Sequence, residues 1–152
     1  MKLLISVALF ALAAFAADNS LGTWKLDAAK SKYGPGPMPV KSLSAVREAA
    51  DGGVKVTNTG SRTDGTDINA TYTVKFDGTP ATVTGSGAPY DTISIKQVNP
   101  NTFTDVRKKT GGPYHATGRL VVSEDGKTIT WTSKGMDADG KPFSSTFIYD
   151  KQ

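Results

Sequence analysis

The residues able to do chemistry are few, and their scarcity excludes most reactions. The chain of 152 residues contains no Cys and one His. That removes disulfide scaffolds, thiolate metal sites, iron–sulfur clusters, cysteine nucleophiles and a lipid-anchor cysteine. His115, which follows Gly111-Gly112-Pro113-Tyr114, has no second ligand at a recognisable spacing. It reads as a surface histidine rather than a lone haem or metal ligand. No Ser sits in a nucleophile-elbow setting, and no carboxylate pair stands out by its spacing. The sequence therefore points away from catalysis and implies neither metal nor cofactor.

What remains is one charged pair and a set of aromatic residues. If Phe103 points inward on a strand, Asp105 and Arg107 point inward with it. A buried guanidinium needs a partner, either Asp105 or the anionic head of a ligand. The alternative places Arg107-Lys108-Lys109 at a solvated strand end. Trp24 and Trp131 can each bury about 150–250 Å², as core or as ligand-stacking walls. Alternation puts Tyr72, Phe76, Phe103, Phe147 and Tyr149 on the same interior face. The candidate ligand-contacting residues are Trp24, Tyr72, Arg107, Trp131, Phe147 and Tyr149.

These side chains must be positioned by strands. Thr occurs 19 times, often at alternate positions, and suits the solvent face of a strand. Turn signals recur at Asp51-Gly52-Gly53, Asp64-Gly65, Asp77-Gly78, Asn99-Pro100-Asn101, Gly111-Gly112, Asp125-Gly126 and Asp139-Gly140. Between them, Ile68, Ala70, Tyr72, Val74 and Phe76 oppose Asn69, Thr71, Thr73 and Lys75. Ile129, Trp131 and Ser133 oppose Thr128, Thr130, Thr132 and Lys134 in the same way. Nine or ten strands are expected, at about 21–26, 41–49, 54–62, 67–76, 81–84, 91–98, 102–109, 114–123, 127–135 and 143–150. Short connections make them antiparallel, and closure removes two exposed edges. The expected fold is all-β, an antiparallel up-and-down barrel of about 8–10 strands. Asp27 to Lys32 reads as a single helical turn capped by Asp27. Tyr33-Gly34-Pro35-Gly36-Pro37-Met38-Pro39 reads as an extended covering loop without ladder hydrogen bonds.

Residues 1–16 read as a secretory leader rather than as part of the fold. Met1-Lys2 is basic, Leu3 to Phe15 is an apolar run too short for a typical span, and Ala14-Phe15-Ala16 is a small-x-small cleavage pattern. The expectation is an exported protein, periplasmic or extracellular, whose residues 17–152 form a single domain without stable membrane insertion. The net charge of +4 drops by one with Lys2, and lysines are scattered. A mildly basic exported chain of this kind is no nucleic-acid binder. Oligomeric state is left open.

The opening Gly22-Thr23-Trp24-Lys25-Leu26, in an antiparallel chain of this length, resembles the lipocalin and fatty-acid-binding-protein superfamily. That resemblance implies that Trp24 plugs the closed end of a barrel. Tyr149 matches the Tyr of that family's terminal Arg-x-Tyr pattern, but Phe147 replaces the Arg, and segment 33–39 replaces the two-helix lid. Residues 22–152 are also similar to a set of uncharacterised exported bacterial lipocalin-like proteins, sharing the Gly-Thr-Trp-Lys-Leu opening, Lys30-Ser31-Lys32 before a Pro-rich stretch, and a closing Tyr149-Asp150-Lys151-Gln152. Trp24 to Ser31 resembles the opening of periplasmic isoprenoid-binding barrels. The expected function is that of a non-enzymatic protein holding a small apolar or amphipathic ligand, with Arg107, from the alternation around Phe103, as the one candidate polar anchor. The alternative is a filled barrel acting through its surface as an interaction or inhibitor module.

Overall fold

Alternating runs become strands, and Asp-Gly and Gly-Gly pairs become the turns between them. The computed structural model describes residues 17–152; the leader assigned to residues 1–16 lies outside the described residues. The strands are β1 (Gly22–Leu26), β2 (Lys32–Gly34), β3 (Val40–Ala50), β4 (Gly53–Arg62), β5 (Asp67–Lys75), β6 (Ala81–Thr82), β7 (Thr84–Ser86), β8 (Thr92–Asn99), β9 (Thr102–Lys108), β10 (His115–Val122), β11 (Thr128–Met136) and β12 (Pro142–Lys151). All pairings are antiparallel, in the order β6-β8-β9-β10-β11-β12-β1-β3-β4-β5-β7, with β2 also on β12. The fold is an all-β, nearly closed antiparallel barrel. Gly52, Gly65, Gly78, Gly111, Gly126 and Gly140 adopt positive φ in its turns, where a side chain is strained.

Two features depart from the sequence reading. The single turn expected after Asp27 is present: Asp27 O accepts from Ser31 N and its Oδ1 from Lys30 N, both at 3.1 Å, and the chain then extends again. Tyr33 and Gly34 do join a ladder, because β2 resumes on β12 where β1 leaves it; the turn at 27–31 acts as a bulge between them. Ser31 Oγ fills the resulting gap by accepting from Ile148 N at 2.9 Å. The second departure is the short run at 81–84, which is two strands with different partners. Ala81-Thr82 pairs with β8, while Thr84–Ser86 pairs with β5. Together with β2 this raises the count to twelve.

The segment at 81–86 fills the seam where the barrel closes. At one end the residues that follow β5 meet β8 directly, through the Asp77–Lys96 bridge and Gly78 N donating to Ile95 O at 2.9 Å. Towards the other end they diverge, and β6 and β7 occupy the space between. Apolar side chains fall into two interior clusters. One gathers Val54, Val56, Tyr72, Ile93, Phe103, Tyr114 and Phe143; the other gathers Trp24, Leu26, Val40, Ile68, Val122, Ile129 and Tyr149.

Candidate functional site

A cavity of about 490 Å³ lies within the barrel and is lined by side chains of both clusters. Its rim is made by the 35–39 segment, Arg62, the 87–90 loop and the 137–141 turn. The turns at the opposite end contribute nothing to the lining, so that end is the floor and the first is the mouth. Arg62 Nη1 donates to Gly87 O at 3.3 Å, and Thr63 N donates to Pro39 O at 3.0 Å. These bonds tie the Pro-rich segment and the 87–90 loop to one corner of the mouth.

All six candidate side chains line this cavity, together with Asp105 and Ser133. Trp24 is fully buried towards the floor, its Nε1 donating to Ser20 O at 2.8 Å and Lys151 Nζ lying 5.4 Å from its ring centroid. Tyr72 and Tyr149 are buried, Trp131 and Phe147 half-buried. Trp131 meets Phe147 edge-on at 6.3 Å, a geometry that aromatic quadrupoles favour.

Arg107 is 4% exposed, so it does not belong to a solvated strand end. Lys108, one residue on, faces outward. Arg107 Nε donates to Asp105 Oδ1 at 2.7 Å, Nη2 to Ser133 Oγ at 2.7 Å, and Nη1 to Tyr114 Oη at 3.3 Å. The other carboxylate oxygen, Oδ2, accepts from Trp131 Nε1 at 2.8 Å, and the guanidinium carbon lies 4.4 Å from the Trp131 ring centroid. Burial disfavours the guanidinium charge, but attraction to Asp105 and to the Tyr114 and Tyr90 phenols outweighs it and raises the Arg107 pKa. Among the two candidate partners for Arg107, the structure supplies Asp105. The pair is neutral overall, and Arg107 faces the cavity as a hydrogen-bond donor rather than as an uncompensated charge.

A second wall was not legible as a unit in the sequence. Tyr33, Phe143, Tyr114 and Tyr90 stack in series, with successive centroids 5.5, 6.0 and 5.9 Å apart and interplanar angles of 12°, 26° and 28°. These rings come from β2, β12, the residue before β10 and the loop before β8, so no local pattern joins them. Burial pushes the Tyr114 phenol up and the Tyr90 phenol far up, keeping both protonated at neutral pH. Arg47, on β3, also reaches the cavity and was missed, because the strand carries apolar residues on both faces. The alternation Leu43-Ala45-Arg47 opposite the inward Trp24 was the available signal.

Other sequence-selected residues lie elsewhere. His115, for example, is exposed, its Nδ1 3.1 Å from Pro113 O. Among the described residues no helix is long and apolar enough to cross a membrane.

No family model matches the chain, and no curated protein matches it. Among solved structures, a redesigned β-barrel, mFAP1, bound to DFHBI, is similar to it at 15% identity, covering 88% of this chain and 98% of that chain with a TM-score of 0.42.

Proposed function

We propose that the protein is an exported, non-enzymatic carrier that holds one small apolar or amphipathic molecule inside its barrel. The observation that carries this reading is the aromatic-lined cavity of about 490 Å³. Ligand pockets generally span about 300–1,000 Å³ and combine an apolar lining with a few placed polar groups. Trp131, Phe147, Tyr149 and Tyr72 form apolar wall, and Trp24 contributes near the floor. Burial against them stabilises a ligand by about 25 cal/mol per Å² of apolar surface. Arg107 offers directional hydrogen bonds from two N–H groups beyond the three bonds it already makes. The cavity favours this reading over a filled barrel acting through its surface.

Asp105 is used structurally: both of its carboxylate oxygens are engaged, one by Arg107 and one by Trp131. Lys41, Lys55, Lys75, Lys96 and Lys134 stand exposed on the outside of the barrel, unlike the apolar band of a membrane barrel.

The test is a native mass spectrum beside a denatured one, taken on protein recovered from the periplasm. A mass increment seen only in the native spectrum is expected. A bare native mass that stays bare after incubation with mixed lipids and haem would overturn the reading. Export is checked on the same sample by N-terminal sequencing, which is expected to begin at Ala17.

A further inference from the structure

We infer that the barrel takes a neutral, flat, conjugated ring compound whose carbonyl oxygen sits on Arg107, rather than a charged amphiphile. The inference rests on the carrier reading and adds the ligand's charge, its shape and its anchoring atom.

Charge decides first. Arg47 and Arg107 both lie buried against the cavity, and each comes with an aspartate. Arg107 Nε donates to Asp105 Oδ1 at 2.7 Å. Arg47 Nε donates to Ser20 Oγ at 2.9 Å, and the Ser20 hydroxyl donates in turn to Asp18 Oδ1. An anionic head on Arg107 would bring a second carboxylate beside Asp105. A cationic head would compete with Arg107 for Asp105. Either one adds an unbalanced charge to a buried pair that is already neutral, and that is costly. A neutral acceptor adds none.

The donors then select the head. Arg107 Nη1 and Nη2 each keep an N–H beyond their bonds to Tyr114 Oη and Ser133 Oγ. Tyr72, Tyr90 and Tyr149 line the same cavity, and burial raises their pKa values, so their phenols stay protonated and able to donate. The free polar groups are thus mainly donors, and a carbonyl oxygen, with two lone pairs and no proton, complements them.

The walls select the shape. The Arg107 guanidinium carbon lies 5.6 Å from the Tyr90 ring centroid and 4.4 Å from that of Trp131. Tyr90 precedes β8, on one side of β9, and Trp131 belongs to β11, on the other. The guanidinium is therefore flanked by an aromatic ring from each direction. Hydrogen bonds to a carbonyl lie near the plane of its C=O group. A carbonyl on the Arg107 fork accordingly prolongs the guanidinium plane along those rings. From Tyr90 the stack continues through Tyr114 and Phe143 to Tyr33. A flat ring system gains stacking along this wall, whereas a flexible chain gives up rotamer freedom to lie there.

The experiment titrates the purified protein with flavone, 2-phenylnaphthalene, flavanone and decanoate, by calorimetry. Flavone is flat and neutral with one carbonyl. 2-Phenylnaphthalene keeps a similar ring outline without oxygen, and flavanone keeps the carbonyl but is puckered. Flavone is expected to bind about tenfold or more tightly than 2-phenylnaphthalene, as a hydrogen bond to a charged donor implies. It is expected to exceed flavanone by about threefold or more through stacking, and to exceed decanoate. Equal affinity for flavone and either ring analogue, or tighter binding of decanoate, overturns this inference while leaving the carrier standing. Binding of none of the four sinks the carrier reading, and this inference with it. The Asp105→Leu, Arg107→Met double variant removes both charges together and is expected to bring flavone down to the affinity of 2-phenylnaphthalene; an advantage that survives overturns the anchor. Should that variant fail to fold, infrared spectra of flavone labelled with carbon-13 at its carbonyl decide the matter in the unaltered protein. The carbonyl stretch is expected to fall below its position in hexane on binding, and an unshifted band overturns the proposal.

Discussion

Asp105 and Trp131 stand on strands separated by β10, and they reach one another because residue 118 carries no side chain. Gly118 pairs with Asp105 on one side and Ser133 on the other. A Cβ there would overlap Asp105 Oδ2 and come within 2.7 Å of Trp131 Nε1. Gly118→Ala is therefore expected to break that hydrogen bond and destabilise the protein by about 1–3 kcal/mol, read from the urea midpoint. The charged pair behind it makes a sharper case. Asp105→Ala leaves Arg107 buried and unpaired, a loss of about 3–5 kcal/mol, whereas replacing both as Asp105→Leu with Arg107→Met costs much less. A double variant no more stable than Asp105→Ala alone would show that the pair's charges are not what matters. Alternation made the inward direction of Asp105 and Arg107 legible once Phe103 was taken as buried. It was silent on partners, because those depend on which strands lie two places away. Glycine inside a strand signals a close approach, so Gly118 between Thr117 and Arg119 was a clue that only the neighbouring strands could interpret.

Turns were the most legible elements because their chemistry is local. Asp64, Asp77 and Asp125 each accept a backbone N–H two residues on, from Thr66, Thr79 and Lys127 at 2.9, 2.9 and 3.0 Å. Backbone bonds at Asp64 and Asp77, and the Ser123 hydroxyl followed by the Lys127 backbone at Asp125, hold these carboxyls below their usual value of 3.8. A pKa lower in the folded state contributes stability above the unfolded value and loses it as pH falls through the folded one. The urea midpoint is thus expected to be flat from pH 7 to 5 and to drop below about pH 4. An Asp64→Asn, Asp77→Asn, Asp125→Asn triple variant should lose part of that acid slope. The Pro-rich segment was only half legible. Pro35, Pro37 and Pro39 announce a stretch without regular pairing, but the return of Lys32–Gly34 to β12 depends on the end of β1 and has no local signature. Tyr33 holds this segment by stacking on Phe143 at 5.5 Å. Tyr33→Ala is expected to loosen the mouth and speed release of a bound fluorescent fatty acid in stopped-flow, with the floor unaffected.

At the scale of the molecule, closure was argued from the cost of exposed edges, and the barrel closes nearly completely. Its seam was not legible, since the few residues from Ala81 to Ser86 do not reveal which neighbour each will choose. Two- and three-residue strands make few ladder bonds, so the seam should open before the long hairpins do. Hydrogen exchange is expected to be fastest for amides of 81–87 and slowest in β3–β5 and β10–β12; uniform protection would mean the seam is as firm as the rest. The first and last described residues share the opposite pole from the mouth. Asn19 N donates to Pro100 O at 3.0 Å, and Gln152 N donates to Thr23 O at 2.9 Å. A peptide linker joining Gln152 to Ala17 would therefore run beneath the floor, and new termini could be opened at the Asp139-Gly140 turn. For the same reason, a molecule tethered through residue 17 or residue 152 to a bead or a cell surface would stand upright, presenting its aperture to the medium like a cup fixed by its base.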